Sequence, residues 1–326
     1  MYKIDGGKLD LEDVCYEYDH IDTVWSKMET MLPKYFSEYV ATENGAIVEE
    51  DKFEELKNKF NVNPSLSSSK KSMNNGVSLQ RISQEAIDKF ENGKDDDRQA
   101  YINILDPDYL EECRSDYNDF KKSDLRNKIP IIKKTLWSKK KELEKYKMEF
   151  NNSDPKLLLE IISNIIKRSK DFDSYDEINY LEDEKFTDFD YDDDYTYFKV
   201  IGNGIKSHFL YKLNPKLFPN RSRNAIFSLW YLVDKMDFDC KESSEFLMVD
   251  FRNPNKSTTQ ENYYYPYFMF AHYASLIADY LRKQFAKNKV KFDETYRFVY
   301  VNDFLEYIAN KHSDEIEYLK GSDYGC

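Results

Sequence analysis

Four polar residues in the C-terminal half have the types and spacing to hold an anion: Lys206, Ser207, Arg221 and Arg223. The first two follow the strand-like run YTYFKVI in the stretch GNGIKSHF, where Gly202 and Gly204 mark a strand-to-helix turn. Such a turn can aim several backbone N–H groups at an anion, with lysine adding a point charge. One residue separates the glycines and an isoleucine precedes the lysine, so the spacing departs from a phosphate-binding GxxxxGK[ST] loop and argues against a nucleotide hydrolase. The plainer reading is that both glycines permit positive φ at a turn.

Arg221 and Arg223 lie in FPNRSRNAIFSLWYL, residues 218–232, whose near-continuous apolar run predicts a buried helix. Whether Asn220 or Ser222 caps it, at least one arginine falls in the first turn. There it opposes the helix macrodipole at a cost of about 0.3 to 1 kcal/mol unless an anion offsets it. That anion could be the chain's own acidic stretch, an isolated carboxylate or an external phosphate.

A second chemistry is available to carboxylates. Asp188 and Asp190 alternate with aromatic residues, and Glu245 and Asp250 flank FLMV. Two or three such groups converging on Mg²⁺ would support phosphodiester cleavage, which makes these four the candidate catalytic set of an alternative nuclease or phosphoesterase reading. Neither EFLMVD nor RFVYVND is followed by the ExK spacing of a nuclease sheet, and alternating Asp and ring residues are ordinarily solvated charges between packed rings. His20, His208, His272 and His312 have no HxH or HExxH context, no GxSxG elbow occurs, and Cys15, Cys113, Cys240 and Cys326 form no CxxC pair. The preferred reading therefore needs no cofactor.

Charge is unevenly distributed along the chain. Residues 171–194 hold 12 acidic residues against Lys185, a net −11, so removing this block from the total of −13 leaves only −2. Residues 121–147 hold 11 basic residues against three acidic ones, a net +8. Lys139, Lys140 and Lys141 in that basic stretch could contact nucleic-acid phosphates, although lysines also suit the solvent face of a two-helix seam. The acidic block contains too many rings, among them Phe172, Tyr180, Phe186 and Phe189, for a pure tether. It can dock on a surface as an intramolecular cover or mimic a polyanion.

The elements that must position these groups divide the chain into four stretches. Residues 1–104 read as a helical N-terminal region, with a helix over 20–40 interrupted or bent at Pro33 and a flexible Ser/Asn-rich loop at 63–77. Residues 105–170 read as a basic helical hairpin, its second helix beginning after Asp154 at PKLLLEIISNIIKRSK. Residues 171–194 form the acidic aromatic connector. Residues 195–326 read as a compact mixed domain in which YTYFKVI, EFLMVDF and TYRFVYV are short strands between apolar helices. TYRFVYV equally fits the first turns of the last helix. The fold class expected is α+β.

Tyr and Phe are abundant, 27 and 22 in 326 residues, so rings fill much of the core volume. A mean hydropathy of −0.79 and the absence of an unbroken apolar run of about 20 residues predict a soluble protein without a membrane span. MYKIDGGKLD has neither a basic leader nor an apolar segment, which predicts a cytosolic location. The function expected is an intracellular binding or interaction protein with an anion-recognising surface in its C-terminal part. Its partner would be a protein or a phosphate-containing ligand, with nucleic acid possible through the basic hairpin.

Overall fold

The computed structural model describes residues 15–42, 75–93, 98–108, 110, 152–238, 244–250 and 258–320. Ten α-helices, two short 3-10 helices (Asp193–Tyr195 and Glu294–Tyr296) and one two-stranded hairpin make up the regular structure of these residues. The helices are α1 (Tyr18–Thr42), α2 (Asn75–Asn92), α3 (Arg98–Ile104), α4 (Pro155–Lys170) and α5 (Glu184–Tyr191). They continue as α6 (Asn203–Leu213), α7 (Arg223–Leu232), α8 (Tyr267–Lys287), α9 (Arg297–Lys311) and α10 (Ser313–Lys320). The hairpin pairs β1 (Leu247–Asp250) antiparallel with β2 (Thr258–Glu261), Leu247 opposite Glu261.

Helix α7 is central because its sequence, AIFSLWYL, leaves no polar face wide enough to meet water. Every residue from Ala225 to Leu232 is buried. Helix α9 packs most extensively against it, and α1 and the hairpin cover further sides. The Ser228 hydroxyl donates to the Leu305 carbonyl at 2.6 Å, so its own burial is compensated. Buried residues from Ile21 to Ile316 belong to one hydrophobic cluster, and α1 therefore shares its core with the C-terminal helices. None of the described helices is long and apolar enough to cross a membrane.

Among the described residues, the mixed α/β character expected for residues 195–326 is reduced to the single hairpin. EFLMVDF supplies β1, as its apolar run suggests. YTYFKVI does not form a strand: an isolated bridge between Tyr197 and Ile201 closes a tight turn with Lys199 at φ 64°. TYRFVYV enters α9, because Phe298 and Val301 continue the buried stripe of Phe304, Leu305 and Ile308 at helical spacing. Asn302 sits within this helix. Helix α1 runs through Pro33 without a break in its assignment.

Helix α4 starts as its sequence suggests: the Asp154 carboxylate accepts the Lys156 N–H at 2.9 Å, Pro155 occupies the first turn, and bases close the last turn. Of the loop at 63–77, only 75–77 are described, and they belong to α2. The first helix of the expected hairpin, including Lys139, Lys140 and Lys141, lies outside the described residues.

Candidate functional site

The acidic connector is docked on the helical body, and its rings explain why. Phe172, Phe186 and Phe189 are fully buried. Phe186 lies against Tyr267 with ring centroids 5.1 Å apart, and Phe172 meets Phe218 edge-on at 5.6 Å. Burying each such ring contributes roughly 1.5 to 3 kcal/mol, enough to hold a segment whose net charge alone would keep it in water. Its carboxylates face outward: Asp171, Asp173, Asp176, Glu177, Glu182, Glu184, Asp192, Asp193 and Asp194 are exposed. Arg168 at the end of α4 reaches Asp171 at 3.2 Å and Asp188 at 2.7 Å, while Lys216 reaches Asp176 at 2.6 Å.

Asp190 is the exception that turns inward. Helix α8 begins after Pro266, which has no side chain able to cap the first N–H groups. Asp190 supplies the missing acceptor from α5, taking the Tyr267 N–H at 2.8 Å and the Phe268 N–H at 2.9 Å. It also accepts from the Asn203 side-chain amide at 2.7 Å. Burial raises its pKa above the usual carboxylate value, while the two amides and the Lys206 charge oppose that rise.

Of the four expected anion-binding residues, Lys206 and Arg221 interact with Asp190, and each of the four has an internal partner. Lys206 is fully buried and donates from Nζ to the Phe189 carbonyl and, at 3.3 Å, to Thr196 Oγ1. Burial lowers its pKa to about 8 against the pull of Asp190. Ser207 Oγ accepts the Arg221 backbone N–H at 3.0 Å. The Arg221 guanidinium, buried, donates from Nε to the Tyr265 carbonyl at 2.9 Å and from an Nη to the Asn262 carbonyl at 2.7 Å. Burial lowers its pKa to about 10, with Asp190 and Glu261 acting in the opposite direction. Gly202 precedes α6 at φ −109°, so a left-handed backbone is not what places a glycine there.

Ser222 is the cap of α7, its Oγ accepting the Ala225 N–H at 3.0 Å, which puts Arg223 at the first helical position. The charge that meets Arg223 is Glu261 of β2, at 2.7 Å. Glu306 of α9 adds a second carboxylate there, accepting from Ser222 Oγ at 3.2 Å and from the Asn224 amide at 2.7 Å. The unfavourable interaction with the macrodipole is thus offset by two acids at the helix start.

The candidate catalytic carboxylates are held by different partners. Asp188 pairs with Arg168, Asp190 caps α8, and Glu245 is fully buried beneath α1. Glu245 accepts the Tyr265 hydroxyl at 2.9 Å and pairs with His20. Asp250 ends β1. Among the described residues no three His, Cys, Asp or Glu side chains converge as a metal ion requires. The His20–Glu245 pair joins positions 225 residues apart, and no local spacing announces it. The other histidines take packing roles: His208 bonds the Tyr101 hydroxyl at 2.9 Å, and His312 stacks on Tyr231 with centroids 3.8 Å apart.

One open cleft of about 250 Å³ lies where the connector meets α1 and α8. Tyr16, Tyr18, Tyr191 and Phe268 line it together with Ile21, Leu181, Thr187 and Met269. Tyr18 and Tyr191 are largely exposed, at 60% and 66%. Composition gave no sign of this grouping, because its rings come from three separate segments. Comparison with protein-family models, curated proteins and solved structures found no match for the chain.

Proposed function

We propose that this chain is an interaction protein whose partner is a basic polypeptide, held on the outward face of the acidic connector. In this reading Lys206, Ser207, Arg221 and Arg223 serve the protein's own groups: backbone carbonyls, a backbone N–H and the Glu261 carboxylate. An external phosphate would have to displace two backbone carbonyls from a buried Arg221 and compete with Glu261 for Arg223. Displacement of that kind leaves buried groups unpaired, at about 1 to 3 kcal/mol each.

The observation that carries the reading is the division of labour within the connector. Phe172, Tyr180, Phe186 and Phe189 are buried, and its exposed carboxylates all belong to a segment fixed on the body. An acidic surface fixed in this way can attract a basic partner with less ordering entropy than a free acidic tail would lose.

The test uses the full chain and a ten-residue peptide alternating Gly and Lys. Affinity should fall steeply between low and high salt. Changing Asp173, Glu184, Asp193 and Asp194 to their amides should weaken binding several-fold at low salt and leave the thermal melt nearly unchanged. Equal affinity of the neutralised and parent chains would contradict the reading.

A further inference from the structure

We infer that the cleft between α1, α5 and α8 is a site for the cationic side chain of that basic polypeptide, held over aromatic faces inside an acidic rim. The inference rests on the interaction reading above and assigns it a point of contact. Phe268 lies between two tyrosines, stacked on Tyr16 with centroids 5.8 Å apart and planes at 15°, and tilted against Tyr191 at 5.9 Å. The contacts with Phe268 orient the Tyr16 and Tyr191 rings before any ligand arrives. Tyr18 is fixed by donating to Glu182 at 3.2 Å.

The sequence flanking these rings carries charge of one sign. None of the eight lining residues is charged, and the residues directly flanking them in sequence include seven carboxylates and no Lys or Arg. Asp188 and Asp190 are engaged by Arg168 and by α8, whereas Glu17, Asp19, Glu182 and Asp192 are exposed around the cleft-lining rings. A cation over a ring face is attracted by the ring quadrupole, and nearby carboxylates add to that attraction. An anionic or neutral occupant gains neither.

Size selects a side chain over a whole small molecule. The volume of about 250 Å³ falls below the roughly 300 to 1,000 Å³ of small-molecule sites. A lysine stem can lie along Leu181 and Met269 while its ammonium rests among the rings. The remaining affinity then comes from the surrounding acidic face.

The experiment is calorimetric titration of the full chain with the Gly/Lys peptide and with the same peptide carrying norleucine for lysine, which keeps most of the stem and removes the charge. Tyr18→Leu with Tyr191→Leu should weaken binding of the lysine peptide about five- to thirtyfold, from the loss of two exposed cation–π contacts. Phe198→Leu, at an exposed ring outside the cleft, should leave it unchanged, and the norleucine peptide should not bind. Circular dichroism melts of both variants should overlay the parent. The inference is overturned if the double variant binds the lysine peptide as tightly as the parent, if the norleucine peptide binds equally well, or if neither peptide binds. Binding that responds to the amide substitutions and not to the ring substitutions would overturn the cleft while leaving the interaction reading in place.

Discussion

Replacing Asp190 should destabilise the protein more than replacing any other carboxylate of the connector. Asp190→Ala removes the acceptor for two N–H groups at the start of α8 and for the Asn203 amide, at 2.8, 2.9 and 2.7 Å. It also removes the carboxylate that most strongly favours the buried Lys206 and Arg221 charges. Hydrogen bonds to a charged group contribute about 1.5 to 3 kcal/mol each and do not add fully, while breaking a buried pair by removing one partner costs about 3 to 5 kcal/mol. We expect a loss of about 3 to 5 kcal/mol, a large part of a stability that is ordinarily 5 to 15 kcal/mol. Urea denaturation followed by circular dichroism should show the midpoint falling by roughly 1 M or more. Lys206→Met in the Asp190→Ala background should recover part of the loss, because it removes the buried cation, with a coupling of about 0.5 to 3 kcal/mol. A loss below about 1 kcal/mol, or strict additivity in the double variant, would refute this account of the buried cluster.

Two further outcomes follow from the same cluster. Lys206 has a folded pKa of about 8 against an ordinary 10.5, so the unfolded chain binds more protons between those values and stability should rise with pH across that window. Relative to Lys206→Met, the parent should gain up to about 1.4 kcal/mol per pH unit there, measured by urea denaturation at pH 7, 8, 9 and 10; a flat difference would contradict the assignment. Sodium phosphate should raise the melting temperature no more than sodium chloride of equal ionic strength, since the arginines are already engaged; a phosphate-specific gain abolished by Arg223→Ala would show an external anion site.

Particular residues show how far the sequence carries. Helix α7 is legible because AIFSLWYL is apolar on every side, and α4 because Asp154, Pro155 and the closing bases signal both of its ends. The arginines at the start of α7 correctly raise the question of a negative partner. Their answers, Glu261, Glu306 and the carbonyls of Asn262 and Tyr265, lie 38 to 83 residues away and have no local signature. Helix α2 carries a regular stripe of Leu79, Ile82, Ala86 and Phe90, all buried, but its Ser/Asn-rich approach disguises its start. The aromatic and β-branched run at 298–301 resembles a strand in isolation, and the stripe continuing to Ile308 decides for a helix. Asp190 cannot be told from its acidic neighbours by sequence, because what distinguishes it is the uncapped start of α8, 77 residues on.

Hydrogen–deuterium exchange across the full chain, with and without the Gly/Lys peptide at low salt, tests most directly whether the connector's outer face and its cleft are the recognition surface. Slowed exchange should concentrate in the backbone of residues 16–21, 181–195 and 267–270, and high salt should abolish it. Protection that leaves those segments unchanged and appears instead over 203–223, or appears there with phosphate alone, would contradict the account.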